Sequence, residues 1–257
     1  MSNIKENLNT WAQKHVAIFN KITDRGFYTQ SPLCKVIYPN IEQMVIGINP
    51  AGETISRKKD ITPEEYLKGN NYWDNRFNTD GTINKEWLKY LGGTRFFLGY
   101  PPYRSTDSID DDSKTVWTNL SPFFSPKGSA DLSKELMTVG IESTLELITI
   151  LMPKRILLLG VNAFFSLNRY SDKVEYEKLF SNQKISIGRI AGIPSICVPH
   201  PSGQWDLNHY FDSLVIHLHR LIDVVDTNGQ FKPLKEVVDI MRKEILDIQT
   251  KVAMSAI

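Results

Sequence analysis

The stretch KRILLLG, residues 154–160, decides the fold class of this chain. Its apolar residues follow one another without a polar interruption and stop abruptly at a glycine, which is typical of a short buried strand. A strand in a sheet with one solvent-facing side would instead alternate apolar and polar residues. The run therefore predicts a central strand that helices cover on both faces.

Other segments on either side of this run have strand or helix patterns. Short apolar runs that end at turn-forming residues predict strands at 44–48, 115–119 and 193–198. Apolar residues at spacings of three and four predict helices over about 3–22, 132–151, 162–169, 207–225 and 234–252. Strands that alternate with helices predict an α/β fold: a three-layer α/β/α arrangement around a short, mainly parallel sheet of about four strands.

Bulk properties narrow the class of protein further. The 257 residues are 41% hydrophobic and 23% charged, as in one globular domain spanning 1–257, with the first helix at its start and helices over about 207–252 as an extension. The first fifteen residues are polar, unlike a signal peptide, and no stretch is apolar enough to span a bilayer. Two distant cysteines are too few for a metal cluster. We therefore expect a cytoplasmic protein without a cofactor, most simply a monomer.

Three of the predicted strands end at polar residues among turn formers. Asn49 follows the strand that ends in Gly47-Ile48, Asn119 ends the strand at 115–119, and His200 follows Val198-Pro199. In parallel α/β sheets, ligands bind where the carboxyl ends of neighbouring strands converge. We therefore expect Asn49, Asn119 and His200 to meet at one crevice.

The order of these motifs resembles that of the uracil-DNA glycosylase superfamily. GINP at 47–50 is similar to the water-binding motif of the mismatch-specific branch, and His200-Pro201-Ser202 is similar to a motif shared with the single-strand-selective branch. Between them lie Thr118-Asn119 and the KRILLLG strand, so the resemblance covers about residues 44–205. It implies a monofunctional enzyme of DNA repair that hydrolyses the N-glycosidic bond of uracil or a related deaminated base.

The resemblance also implies a role for each of the three polar residues. Breaking an N-glycosidic bond leaves positive charge on the sugar and negative charge on the departing base. Asn49 would orient the attacking water, without removing its proton because an amide is not a strong base. His200 would donate a hydrogen bond to the departing base, and Asn119 would pair with the O4 and N3–H edge of uracil.

A base that leaves the duplex needs a wedge behind it and a surface to bind against. Pro50, Ser202 and Gly203 would contact DNA, and either Gln204 or Trp205 would act as the wedge. The flipped base would also stack on an aromatic ring. The candidates for that ring stand in NNYWDNRF: Tyr72, Trp73 and Phe77.

Other interpretations of the same residues stay open. An Asn-Pro pair is common in plain turns, His200 fits a rigid turn between prolines, and Asn119 fits a helix or loop cap. The first motif reads NPAG where the family has NPG, and the net charge is only +1. These features favour an alternative, a catalytically weak or inactive member that binds a nucleobase, nucleotide or nucleic acid. A small-molecule hydrolase is a third possibility, although no GxSxG, P-loop or GxGxxG motif is present.

Overall fold

A computed structural model describes residues 4–36, 41–50, 60–69, 78–82, 84–85, 115–125, 128–179, 185–200, 230 and 232–255. The helices in these ranges are α1 (Ile4–Ile22), α2 (Pro63–Lys68), α3 (Lys134–Leu151), α4 (Ala163–Asn168) and α5 (Leu234–Ser255). The strands are β1 (Gln43–Gly47), β2 (Thr115–Asn119), β3 (Arg155–Leu159), β4 (Val174–Lys178), β5 (Ser186–Ile190) and β6 (Ile193–Val198). The predicted α/β class is confirmed.

The strands form one mixed sheet in the order β2-β1-β3-β6-β5-β4. The neighbours among β2, β1, β3 and β6 pair in parallel, while β5 pairs antiparallel with both β6 and β4. The central position of β3 agrees with its uninterrupted apolar run. The prediction of about four strands was wrong, because the described residues contain six.

The two additional strands escaped prediction for physical reasons. The edge strand β4 reads VEYEK and is mostly exposed, so it has no apolar run. The strand β5 is buried, but its sequence SIGRI is interrupted by Gly188 and Arg189. Its connection to β6 is the two-residue turn Ala191-Gly192, in which both residues have positive φ angles (51° and 80°). Such turns usually carry Asn-Gly or Asp-Gly, so this hairpin lacks the usual sequence signal.

Both faces of the parallel strands are buried. One face joins a core cluster with residues of α1, α3 and α4; its strand members are Met44, Ile46, Val116, Ile156, Leu158 and Cys197. Successive residues of a strand point to opposite faces. Six apolar residues of the other face are at most 4% exposed: Val45, Trp117, Leu157, Leu159, Ile196 and Val198. The parallel strands are therefore shielded from solvent on both faces.

The helices begin and pack as their sequences dictate. Helix α2 starts with a capping box, in which Thr62 accepts a hydrogen bond from the Glu65 amide and Glu65 bonds back to Thr62. Helix α3 starts at Ser133, whose side chain accepts from the Leu136 amide, and ends at Met152 in the left-handed conformation. Helices α1 and α3 are joined where the Trp11 indole donates to the Ser143 carbonyl oxygen at 2.9 Å.

Other segments cover both edges of the sheet. At the β2 edge, the Ser31 amide donates to the Trp117 carbonyl oxygen at 3.1 Å, and the Ser31 hydroxyl accepts from the Trp117 amide at 2.7 Å. At the β4 edge, Arg242 of α5 donates to the carbonyl oxygens of Leu179 (2.7 Å) and Lys178 (3.2 Å). Hydrogen-bonding groups on an open edge would otherwise attract a strand of another chain.

Candidate functional site

The carboxyl ends of β1 and β2 are joined by backbone hydrogen bonds beyond the strands themselves. The Leu120 amide donates to the Gly47 carbonyl oxygen at 2.8 Å, and the Ser121 amide donates to that of Ile48 at 3.0 Å. Further along, the Ser125 amide donates to the Pro50 carbonyl oxygen at 3.2 Å. The segment 47–50 therefore has a fixed position against the segment that follows β2.

The ends of β3 and β6 are joined to each other and to the end of β1. The Gly160 amide donates to the Val198 carbonyl oxygen at 2.7 Å, and the Cys197 thiol donates to the Gly160 carbonyl oxygen at 3.0 Å. Burial raises the pKa of Cys197 to about 12, so the thiol keeps its proton for this bond. The Ile48 side chain lies against Gly160, where a Cβ would come within 2.7 Å of Ile48 Cδ1. All four parallel strands thus end in one connected edge, here called the carboxyl edge.

Asn119 ends β2 at this edge and is 3% exposed. Its carbonyl oxygen accepts a hydrogen bond from the Thr144 hydroxyl of α3 at 2.8 Å. Its side-chain Nδ2 is buried and has no hydrogen-bond partner among the described residues. Leaving such a donor unpaired typically costs about 1–3 kcal/mol, which a ligand acceptor would recover.

Two residues beyond β1, Asn49 is partly buried, and the next residue, Pro50, is buried. The Asn49 side-chain Nδ2 donates to the Pro50 carbonyl oxygen at 3.0 Å. This bond fixes the orientation of the amide, and Oδ1 accepts no hydrogen bond from the described residues. The oxygen can therefore accept from a water or a ligand.

His200 lies two residues beyond β6 and is partly buried. Burial lowers the pKa of His200 below its ordinary value, because desolvation disfavours the charged imidazolium. The ring is therefore neutral near pH 7 and can still donate one hydrogen bond. In the sheet order, β3 alone separates β6 from β1. Two intervals of about 4.8 Å put these two strands roughly 10 Å apart.

The structure brings Asn49 and Asn119 to neighbouring strand ends and His200 to the same carboxyl edge. Gly47 pairs with Asn119 in the β1–β2 register, so Asn49 lies two residues beyond that pair. The remaining predicted site residues lie outside the described residues: Tyr72, Trp73, Phe77, Ser202, Gly203, Gln204 and Trp205.

Two contributors to this edge were not predicted as functional residues. Thr144 lies on α3, 25 residues after Asn119, and nothing in its local sequence indicates the bond to the Asn119 carbonyl oxygen. Ser121 is fully buried, and its hydroxyl oxygen has no partner among the described residues. The sequence signal for Ser121 is its place just after Asn119 and Leu120, where an apolar strand gives way to polar residues.

The described residues lack a metal-binding cluster and a membrane-spanning helix. They contain no group of three or more His, Cys, Asp or Glu side chains arranged to hold a metal ion. In the same residues, no helix combines the length and apolar character needed to cross a bilayer.

No protein-family model matches the sequence, and no curated protein is significantly similar to it.

Proposed function

We propose that this protein is a monofunctional DNA glycosylase of the uracil-DNA glycosylase type, with a three-layer fold of that type. It would hydrolyse the N-glycosidic bond of uracil, or of a related deaminated base, after the base has flipped out of DNA. One observation carries the proposal. At the same sheet edge as Asn49 and His200, the buried amide of Asn119 has a donor, Nδ2, with no partner among the described residues.

Selection of the base would depend on Asn119. The unpaired Nδ2 suits a carbonyl oxygen, which uracil has at the position where cytosine has an amine. Placing two donors opposite each other in a buried site leaves both without an acceptor. The resulting discrimination is roughly 10- to 100-fold, since each lost partner costs about 1–3 kcal/mol.

Departure of the base would depend on His200. As the glycosidic bond breaks, its electrons move to the base, and negative charge develops on a carbonyl oxygen. A neutral imidazole in a partly buried site stabilises that charge by donating a hydrogen bond. A charged imidazolium is not required, which agrees with the lowered pKa of this residue.

Attack by water would depend on Asn49. Its Nδ2 is held by the Pro50 carbonyl oxygen, so Oδ1 has a fixed direction in which to accept a hydrogen bond from a water. Because the amide does not take the proton, it orients the water toward the cationic sugar and leaves the proton to solvent. We therefore expect slower turnover than a carboxylate at this position would give.

DNA itself would be held by groups around this edge. Pro50, Ser202 and Gly203 are proposed to contact the backbone, with Gln204 or Trp205 as the wedge. The flipped base would stack on Tyr72, Trp73 or Phe77. A near-neutral protein needs such local contacts, because its net charge of +1 supplies little general attraction to DNA.

The test measures uracil release from a U·G duplex and from a uracil-containing single strand under single-turnover conditions. We expect His200→Ala to slow release roughly 100- to 1,000-fold, as loss of a donor to a developing negative charge does. We expect Asn49→Ala to slow it at least about 10-fold. Asn168→Ala, at the exposed end of α4, is the matched control and should keep wild-type rates. Absence of base release from uracil and other deaminated substrates at high enzyme concentration contradicts the proposal.

A second candidate function is binding without catalysis. It is favoured by NPAG in place of NPG and by the near-neutral net charge of +1. In that case DNA or a free nucleobase binds at the carboxyl edge and no base is released. Affinity for DNA that falls steeply with salt, together with unchanged substrate after long incubation, would identify this function.

A further inference from the structure

Gly47, the last residue of β1, makes an unusual contact with Asn119, the residue paired with it on β2. A Cβ at Gly47 would lie 2.5 Å from Asn119 Oδ1. The next nearest atoms would be Asn119 Cγ at 3.6 Å and the Thr118 carbonyl oxygen at 3.9 Å, both at ordinary contact distance. The Asn119 amide therefore occupies the space that any other residue at position 47 would fill.

The backbone around Asn119 is fixed from two directions. On the β1 side, the Leu120 amide donates to the Gly47 carbonyl oxygen at 2.8 Å. From α3, the Thr144 hydroxyl donates to the Asn119 carbonyl oxygen at 2.8 Å, in a buried contact. A side chain at position 47 could not be accommodated by moving this backbone without breaking those bonds. The Asn119 amide itself would have to move.

The geometry points to Gly47 as a positioning residue for Asn119, and hence as a determinant of base selectivity in the proposed glycosylase. Its lack of a side chain holds open the place where the amide packs. In that position the buried Nδ2 donates no hydrogen bond to any of the described residues. The selectivity part of this inference rests on the proposed function, while the packing part does not.

A thermal double-mutant cycle tests the packing without any substrate. It compares wild type, Gly47→Ala, Asn119→Ala and the double variant. Crowding of Oδ1 should lower the Tm of Gly47→Ala by about 3–8 °C. Among the described residues, Asn119 alone would come closer than 3.4 Å to the new Cβ, so the double variant should melt within about 2 °C of Asn119→Ala. The inference is overturned if Gly47→Ala lowers the Tm as much in the Asn119→Ala background as it does in wild type.

The inference can still be tested if Gly47→Ala is too unstable to purify, because folding of the double variant then gives the answer. A folded double variant supports the inference, since removing the amide makes room for the new Cβ. Failure of both variants to fold, with Asn119→Ala folded, overturns it. The general cost of replacing this glycine is measured by comparing the double variant with Asn119→Ala, because the amide that would crowd the new Cβ is absent from both.

The selectivity part is tested by uracil release and by binding of free uracil. Gly47→Ala should lower kcat/KM for a U·G duplex roughly 10- to 100-fold, the cost of one misplaced buried hydrogen bond. In the Asn119→Ala background, Gly47→Ala should change kcat/KM less than about twofold, because the amide that it displaces is already absent. Free uracil should bind Gly47→Ala more weakly than wild type by a similar factor.

The outcomes separate this inference from the proposed function. A non-additive thermal cycle with no base release by the wild type refutes the glycosylase and leaves the packing role intact. Wild-type base release that Gly47→Ala retains in full, with uracil affinity unchanged, refutes the selectivity role and leaves the glycosylase intact.

Discussion

The parallel and antiparallel halves of the sheet serve the molecule differently. In the parallel half, β2, β1, β3 and β6 all end at the carboxyl edge, where Asn119 ends β2 and Asn49 and His200 follow β1 and β6. In the antiparallel half, the chain reverses direction at Ala191-Gly192, between β5 and β6. The carboxyl end of β5 therefore lies away from that edge. Parallel pairing therefore brings polar side chains from several strands to one edge. The antiparallel strands extend the sheet and contact the C-terminal helix α5.

This difference separates the expected effects of substitutions. Changes to polar side chains at the carboxyl edge should alter the proposed base release more than stability, as for His200→Ala above. Changes in the antiparallel half should alter stability and leave the rate per folded molecule unchanged. Three further substitutions or conditions test that separation, in order of decreasing effect.

The largest effect is expected from Gly188→Ala in β5. A Cβ there would collide with the Glu175 carbonyl oxygen and come within 2.9 Å of Tyr176 Cα on β4. Overpacking of this kind should lower the free energy of unfolding by about 1–3 kcal/mol, measured by urea denaturation. Uracil release by the folded fraction should match wild type. A parallel loss of catalytic rate would show that the two halves are coupled.

A smaller effect of opposite sign is expected from Ala191→Asn. Ala191 has a φ angle of 51°, a left-handed conformation that costs alanine more than asparagine. Its amide donates to the Lys173 carbonyl oxygen at 2.8 Å, and asparagine keeps that donor. The free energy of unfolding should rise by about 0.5–1 kcal/mol in the same assay. Ala191→Val is the control and should destabilise, since a β-branched residue resists positive φ.

The smallest effect is expected from pH. Burial lowers the pKa of both His15, in α1, and His200 below the ordinary value of 6.5. The unfolded chain therefore binds more protons than the folded one just below pH 6.5. Stability should be complete above about pH 6.5 and fall as the pH drops below it.

Glutamine variants separate the contributions of the two histidines. His15 Nε2 lies 2.9 Å from Glu146 Oε2, a contact that glutamine can replace. His15→Gln and His200→Gln should each reduce the loss of stability between pH 7 and pH 5. Only His200→Gln should also alter uracil release. If His15→Gln changes release equally, the functional separation between the helical layer and the carboxyl edge is wrong.

Local pattern was enough to predict much of this fold. The helix expected over about 3–22 is α1, and the apolar runs at 44–48, 115–119 and 193–198 correspond to β1, β2 and β6 within a residue or two. The helix predicted to end near Val252 continues to Ser255. The strand β4 was missed because an edge strand needs few buried residues, and here Val174 is its one buried member.

The sequence by itself determined which chemical groups follow the strands. A short apolar run and the polar residue that ends it are local features, so the pattern alone predicts where the buried strand stops. The tertiary structure decided that Gly47 faces Asn119, that Thr144 holds the Asn119 backbone, and that Nδ2 meets no acceptor within the described part of the chain. Register and packing depend on atoms far apart in the chain, so no local pattern specifies them.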